Sequence, residues 1–217
     1  MKHDHKRLSL SLLFLAAFVA WTLALLLVDV RAIGPLDSPV GFAALNRLVH
    51  DLTGVHLWLY ELTDLLSLIP LGLAAGFGCL GLVQWLRRKD LRRVDPDILA
   101  LGVFYLAVLG SFAFFEVAVI NYRPVLIDGH LEASYPSSTT MLILCVIPTA
   151  MMQLRRRMAD TPLRTALILA GWIFLIFMVL GRLVSGVHWF TDIVGGILLS
   201  SGLVGLYGWA EMQFDRS

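Results

Sequence analysis

Six long apolar runs limit what this chain can fold into. They cover residues 8–28, 56–86, 96–120, 136–152, 167–180 and 189–209. A helix of about 20 apolar residues crosses the hydrocarbon core of a bilayer and satisfies its own backbone hydrogen bonds there. The 217 residues are 58% hydrophobic and 15% charged, a composition typical of a membrane protein. The sequence therefore predicts an all-α, polytopic membrane protein with six transmembrane helices.

The basic residues indicate how these helices are oriented. All lysines and arginines lie in the N-terminal segment, the loops 87–93 and 154–164 and the C-terminal tail, except Arg31, Arg47, Arg123 and Arg182. Short loops rich in lysine and arginine remain in the cytoplasm. We therefore expect both termini to be cytoplasmic and residues 1–217 to form a single membrane domain of the cell membrane.

Two features lie near the opposite, external side. Residues 42–50 are amphipathic, which predicts a segment that lies along the outer interface or forms a short helix there. Glu61 and Asp64 share a helical face near the start of the second run. They could line a path for protons or head groups, although a solvated helix start is the simpler interpretation.

A polar stretch, residues 181–196, separates the last two runs and carries Arg182, His188 and Asp192. On a helix that begins near Val187, His188 and Asp192 share one face. The carboxylate can then accept the ring N–H and leave the other nitrogen free as nucleophile or base. A polar collar at the head groups would explain one such residue. The three together, near a helix N-terminus, predict an anion-binding reactive site.

Further polar groups fall at the same depth. Arg123-Pro124 ends the third run, and residues 136–140, Pro-Ser-Ser-Thr-Thr, open the fourth with a proline and hydroxyl groups that favour a helix start. Because the predicted topology places these groups outside, we expect them to converge with residues 181–196 on one anionic group.

These segments resemble the three signature motifs of the type 2 phosphatidic acid phosphatase family, integral membrane lipid phosphatases related in fold to vanadium haloperoxidases. The third motif is Ser-Arg, five residues, His, three residues and Asp. Arg182, His188 and Asp192 match it in spacing, with Gly181 in the serine position. The resemblance covers about residues 104–196 and implies a phosphatase-like core at about 97–210.

The first two motifs are altered. The first, a lysine and six residues before Arg-Pro, matches at Arg123-Pro124 but has Glu116 in the lysine position. The second, Pro-Ser-Gly-His, is Pro-Ser-Ser-Thr here and ends at Thr139.

The resemblance implies a role for each matched residue. His188 would attack phosphorus and become a phosphohistidine, and Asp192 would orient its ring. Such phosphoryl transfer works by positioning and charge and requires no metal or other cofactor. The residues implied to hold phosphate oxygens are Arg123, Arg182, Ser137 and Ser138.

The altered positions bear on proton transfer. In the family, the second-motif histidine protonates the leaving alkoxide, which Thr139 cannot do near neutral pH. A general acid contributes a factor of about 10²–10⁴ to the rate. The loss of this acid would slow the reaction least when the leaving group needs no proton, such as the phosphate released from a diphosphate. Glu116, in the position of the family's lysine, removes one positive charge from the site and adds a negative one. It could replace the acid if burial raised its pKa, and His130 or Glu132 in the loop 125–135 are other candidates.

We therefore expect an integral membrane phosphatase that hydrolyses a lipid phosphate or polyprenyl diphosphate at the external leaflet. The alternative is a catalytically impaired relative that binds or moves a phosphorylated lipid, which Thr139 and Glu116 favour. A transporter would need polar groups at mid-membrane, where the sequence has few. The expected partners are the phosphorylated lipid and the bilayer. The net charge of +1 gives no indication of nucleic acid, and the sequence does not predict an oligomeric state.

Overall fold

A computed structural model describes the backbone of residues 2–214 and the side chains of residues 5–214. The ends of the predicted domain, residue 1 and residues 215–217, lie outside the described residues. Within the described chain, six helices or helix pairs are long and apolar enough to span a membrane. The prediction of an all-α protein with six membrane spans is confirmed. Which side of the membrane holds the termini stays a prediction.

The helices follow the apolar runs closely. They are α1 (Lys2–Leu27), α2 (Ala43–Thr53), α3 (Leu57–Leu66), α4 (Leu68–Arg88), α5 (Pro96–Val117), α6 (Ser138–Arg157), α7 (Pro162–Val184) and α8 (Phe190–Phe214). The second predicted span consists of α3 and α4 together, from Leu57 to Arg88. Between α1 and α2, a two-stranded antiparallel ribbon pairs β1 (Arg31–Ala32) with β2 (Pro39–Val40).

Local sequence signals explain several helix ends. Pro162 begins α7, and the hydroxyl of Thr161 accepts a hydrogen bond from the Arg164 backbone N–H. This is the expected combination of proline in the first turn and a threonine N-cap. Ser137 is the N-cap residue of α6, but its side chain does not cap the helix.

Helix α8 occupies the middle of the bundle and packs against α1, α6 and α5. Tyr135, just before α6, fits against α8 at Gly195, where a Cβ atom would lie 2.3 Å from the tyrosine Cε2. The Tyr135 ring also stacks on Phe18 of α1, and its hydroxyl lies 2.6 Å from Thr22 Oγ1. These contacts hold the segment before α6 against the start of α8.

An ion-pair network joins the helix ends at the opposite side of the bundle. Arg157 of α6 donates to Asp97 of α5 at 2.6 Å, and Arg88 of α4 pairs with Asp95 at 2.9 Å. Burial raises the pKa of Asp95, but hydrogen bonds from Arg88, Gln84 and Arg157 outweigh it and lower the pKa overall. Some of the basic residues predicted to set topology therefore also tie α4, α5 and α6 together.

Candidate active site

The polar residues predicted to converge lie at one end of the bundle. His188 lies in the short connection between α7 and α8, and Asp192 lies in the first turn of α8. Arg182 is in the last turn of α7, and Arg123 is in the loop after α5. Arg182, His188, Asp192 and Arg123 are all buried, between 0% and 8% exposed.

A serine lies between His188 and Asp192. Nδ1 of His188 is 2.9 Å from Ser134 Oγ, and Ser134 Oγ donates to Asp192 Oδ2 at 2.5 Å. Nδ1 of His188 is 3.9 Å from Asp192 Oδ2, too far for a hydrogen bond. The predicted direct bond between imidazole and carboxylate is therefore replaced by a chain through the Ser134 hydroxyl.

The second ring nitrogen of His188 determines the direction of this chain. Nε2 lies 3.3 Å from Nη2 of Arg182. A guanidinium group has donors only, so Nε2 accepts and carries the lone pair. Nδ1 then carries the proton and donates to Ser134, which in turn donates to Asp192. The neutral imidazole is held in the tautomer whose Nε2 carries the lone pair, which is the form that a nucleophile requires.

Asp192 has two further partners. Asn121 Nδ2 donates to Oδ1 at 3.2 Å, and the Trp189 backbone N–H donates to Oδ2 at 2.9 Å. The second bond also satisfies an N–H at the start of α8, as in a capping box. The loop of Asn121 is itself joined to Ser134, whose backbone N–H donates to the Asn121 carbonyl at 2.9 Å.

The two arginines share an aromatic neighbour. The ring of Tyr60 in α3 lies 4.7 Å from the Arg182 guanidinium carbon and 5.6 Å from that of Arg123. Nη1 of Arg182 also donates to Thr63 Oγ1 at 3.3 Å. A cation above an aromatic face is stabilised by the ring quadrupole. Tyr60 and Thr63 thus place two positive charges close together.

Several donors of these arginines are unpaired. Nε of Arg182 and Nη1 of Arg123 are buried and have no hydrogen-bond partner among the described residues. Nε of Arg123 lies 3.0 Å from Glu132 Oε2, an ion pair without hydrogen-bond geometry. Buried polar groups in proteins are nearly always paired. Donors left open beside His188 suit an anion with several oxygen atoms.

A cavity of about 10 Å³, room for one water molecule, adjoins His188. Ser134, Ser138 and Glu116 are among its lining residues. Glu116 is exposed, because it lies in the last turn of α5 on the outer surface of the bundle.

The remaining predicted residues lie farther from His188 or serve the framework. The Ser137 backbone N–H donates to the Asp192 carbonyl at 3.2 Å, and its hydroxyl accepts from Thr140 at 3.0 Å. Thr139 is buried in the first turn of α6 and does not line the cavity. His130 is exposed at a turn where its backbone pairs with Ile127, and it does not line the cavity either.

The connection that carries His188 is tightly packed. Gly186 has a φ of +69°, and a Cβ atom there would lie 2.0 Å from the Gly54 carbonyl oxygen. The His56 backbone N–H donates to the Ser185 carbonyl at 2.9 Å. Only glycine meets both demands, a left-handed backbone and close approach of another chain segment. The loop between α2 and α3 therefore packs against the connection that carries His188.

Burial lowers the pKa of His188 well below its ordinary value, and the positive charges of Arg182 and Arg123 lower it further. The imidazole is therefore neutral, in agreement with the tautomer that its hydrogen bonds assign.

Sequence reasoning did not identify Ser134, Asn121, Tyr60 or Thr63. Ser134 lies two residues before Pro136 of the second motif, and Asn121 lies two residues before Arg123 of the first. This closeness to the motifs is a signal by which both could be found. Tyr60 lies one helical turn before Asp64, an acidic residue already noted in the second apolar run. Oδ1 of Asp64 lies 3.9 Å from Nη1 of Arg182.

The fold is that of a polytopic membrane protein, and a histidine, two arginines and an aspartate are buried together at one end of its helix bundle. The family model described as PAP2 superfamily matches residues 113–215. This match supports the assignment to the PAP2 superfamily that the motifs predicted.

One solved structure has a similar fold along nearly the whole chain. It is described as the crystal structure of the first transmembrane PAP2 type phosphatidylglycerolphosphate phosphatase from Bacillus subtilis. The TM-score is 0.63 at 16% sequence identity, and the match covers 94% of this chain and 96% of the other. No curated protein matches this sequence.

Proposed function

We propose that the protein is a membrane lipid phosphatase that works through a phosphohistidine on His188. The observation that carries this proposal is the arrangement of His188, whose lone-pair nitrogen faces buried guanidinium groups with unpaired donors. Binding of an anion alone would not require a hydrogen-bond chain that orients an imidazole. The match of residues 113–215 to the PAP2 superfamily and the fold shared with a membrane phosphatase support the same class of activity.

The first chemical step follows from the positions of these groups. A substrate phosphate takes up the open donors of Arg123 and Arg182, and its oxygens draw Arg182 away from His188 Nε2. Nε2 then attacks phosphorus as the bond from phosphorus to the leaving oxygen breaks. The ring becomes positively charged, and the Nδ1 proton remains on the chain to Ser134 and Asp192, whose carboxylate stabilises that charge.

In the second step, water attacks the phosphohistidine, the P–N bond breaks and inorganic phosphate leaves. Until phosphate arrives, Arg182 occupies the lone pair of Nε2, so the nucleophile is released only when its substrate binds. Ser138, which lines the cavity beside His188, is the hydroxyl we propose for a further phosphate contact.

We infer that the preferred substrate is a lipid diphosphate. Thr139 supplies no proton to a leaving alkoxide, whereas a leaving phosphate needs none. General acid catalysis contributes about 10²–10⁴ in rate, so its loss penalises an alkyl phosphate by that factor and spares a diphosphate. We place this site at the external leaflet of the cell membrane, on the basis of the charge distribution between the loops.

The test is phosphate release by the purified protein from a polyprenyl diphosphate and from phosphatidic acid. We expect the diphosphate to be hydrolysed faster by wild type, and Thr139→His to raise the rate on phosphatidic acid more than the rate on the diphosphate. Glu116→Lys, which restores the lysine of the first motif, controls for a general gain from the family consensus. Equal preference for both lipids in wild type would contradict the assignment of substrate.

The second candidate function is binding or movement of a phosphorylated lipid without turnover. Thr139 and Glu116 are the specific features that favour it, because both remove a group used in the family's reaction. Wild type that releases no phosphate from either lipid, with activity appearing in Thr139→His, would establish this alternative.

The lowered pKa of His188 predicts the acid limb of the pH–rate profile. The nucleophile must be neutral, so activity falls when the pH drops below its pKa. We expect kcat/KM to fall at a pH below about 6.5, the ordinary pKa of a histidine side chain. Arg123→Gln removes a nearby positive charge and should move the limb to higher pH. The ionisation of the free substrate is common to both proteins, so a difference between their profiles arises from the protein. If kcat/KM falls at the same pH in wild type and Arg123→Gln, the assignment of the acid limb to His188 is wrong.

A further inference from the structure

Helix α2 presents three distinct faces. At 100° per residue, Ala43, Asn46 and His50 point in one direction, and they lie on the buried or half-buried side of the helix. Leu45, Leu48 and Leu52 form a second stripe and are 36%, 58% and 78% exposed. Arg47 and Asp51 form a third, exposed and polar stripe. Such a division is typical of a helix at a boundary between lipid and water.

The position of α2 in the chain favours lipid as the neighbour of the leucine stripe. The helix lies between the end of α1 at Leu27 and the start of α3 at Leu57, and both of these belong to membrane spans. It therefore lies where those two spans leave the hydrocarbon region. The leucine stripe is apolar and lies opposite the buried face of the helix, and the adjoining polar stripe fits the head groups and water.

The buried face of α2 is bonded to the start of α8. Asn46 is fully buried, and its Nδ2 donates to Thr191 Oγ1 at 2.9 Å and to the Gly41 carbonyl at 2.8 Å. Its Oδ1 accepts from the Thr191 backbone N–H at 3.2 Å. Thr191 immediately precedes Asp192. One side chain thus connects the interfacial helix to the turn that carries the acceptor of the His188 chain.

We propose that α2 docks on the lipid surface through Leu45, Leu48 and Leu52, and that Asn46 transmits this anchorage to the first turn of α8. In a bilayer, the docked helix holds Thr191 and therefore the Asp192 carboxylate in place. Asn46 is a positioning residue in this scheme, since it acts through Thr191. The lipid contact is independent of the proposed phosphatase activity, whereas the effect of Asn46 on turnover rests on it.

The lipid contact is tested by measuring depth at two neighbouring positions. Leu48→Cys and Asp51→Cys are each made in a Cys79→Ser background, because Cys79 is exposed and Cys145 is buried. Each is labelled with a fluorophore in phosphatidylglycerol–phosphatidylethanolamine vesicles. We expect a lipid-attached nitroxide to quench the label at position 48 more strongly, and aqueous iodide to quench the label at 51 more strongly. Equal quenching at both positions, or the reverse order, would overturn the docking.

The coupling is tested by a double-mutant cycle on phosphate release in the same vesicles. We expect Leu52→Ser to lower kcat in the wild-type background and to have a smaller effect in Asn46→Ala, because the connection is already broken there. Leu36→Ser serves as the matched control, since Leu36 is also 78% exposed but lies outside α2. Additive effects of the two substitutions, or an equal effect of Leu36→Ser, would overturn the coupling.

These two experiments separate this inference from the proposed function. If wild type releases no phosphate from any lipid, the phosphatase assignment and the coupling to turnover both fail, whereas the quenching result still decides the docking. If phosphate is released and the quenching shows no difference, the docking is wrong and the phosphatase assignment stands.

Discussion

Replacement of His188 by alanine is expected to reduce phosphate release by about 10⁴-fold or more, because removal of a covalent nucleophile eliminates the reaction path. Nε2 of His188 is the nitrogen to which the hydrogen bonds assign a lone pair, and it lies 3.3 Å from the Arg182 guanidinium. The measurement is single-turnover release of labelled phosphate from the polyprenyl diphosphate. Label trapped on wild-type protein should be stable in base and labile in acid, as expected for phosphohistidine.

Two comparisons make this result specific. His130→Ala changes an exposed histidine that does not line the cavity, so we expect release to be unchanged. Asp192→Asn preserves the size of the side chain but removes the charge that stabilises the ring, so we expect a smaller loss than in His188→Ala. Retention of a tenth or more of wild-type release by His188→Ala, in a protein that still melts like wild type, would exclude the phosphohistidine.

The membrane architecture could be predicted from the sequence because it depends on one dominant effect. Apolar runs of sufficient length must form helices in a bilayer, and each run became one span or one pair of consecutive helices. The third motif could be predicted as a site for a similar reason. Its three polar side chains occupy one short segment, so their proximity follows from the chain itself.

The relation of His188 to Asp192 could not be predicted, because it depends on where α8 begins. The sequence predicts a helix start near Val187, which would put both residues on one helical face. The helix instead begins at Phe190, so His188 belongs to the preceding turn. The resulting gap of 3.9 Å between Nδ1 and Oδ2 accommodates the Ser134 hydroxyl from a different loop. Contacts between loops distant in sequence leave little signal in either loop alone.

The surroundings of the arginines illustrate the same limit. Tyr60 and Thr63 of α3 contact Arg182 of α7 across more than one hundred residues of chain. No motif in the sequence links these two helices. The resemblance covered residues 104–196, so it could not include α3. The region matched by the family model, residues 113–215, likewise leaves out Tyr60 and Thr63. The surroundings of Arg182 therefore come from both halves of the chain.

Replacement of Arg182 is expected to have the second-largest effect. Arg182→Ala removes a guanidinium that is 1% exposed and close to the nucleophile, and loss of such a group from a phosphoryl-transfer site costs about 10³-fold or more in kcat. Arg182→Lys should recover only part of this, since an ammonium cannot offer two parallel donors to phosphate oxygens. The measurement is kcat/KM on the diphosphate. Arg31→Ala is the control, because Arg31 lies on the same side of the bundle, pairs with Asp29 and is exposed.

A binding measurement decides whether Arg182 acts on phosphate or only maintains the fold. Inorganic phosphate binds the folded state and should raise the melting temperature of wild type with increasing concentration. In Arg182→Ala we expect the melting temperature to respond little to phosphate, whatever its value without phosphate. A purely structural Arg182 would lower the melting temperature and leave the phosphate response intact. That second outcome would contradict the role of Arg182 as phosphate ligand, and with it the idea that phosphate frees Nε2 of His188 for attack.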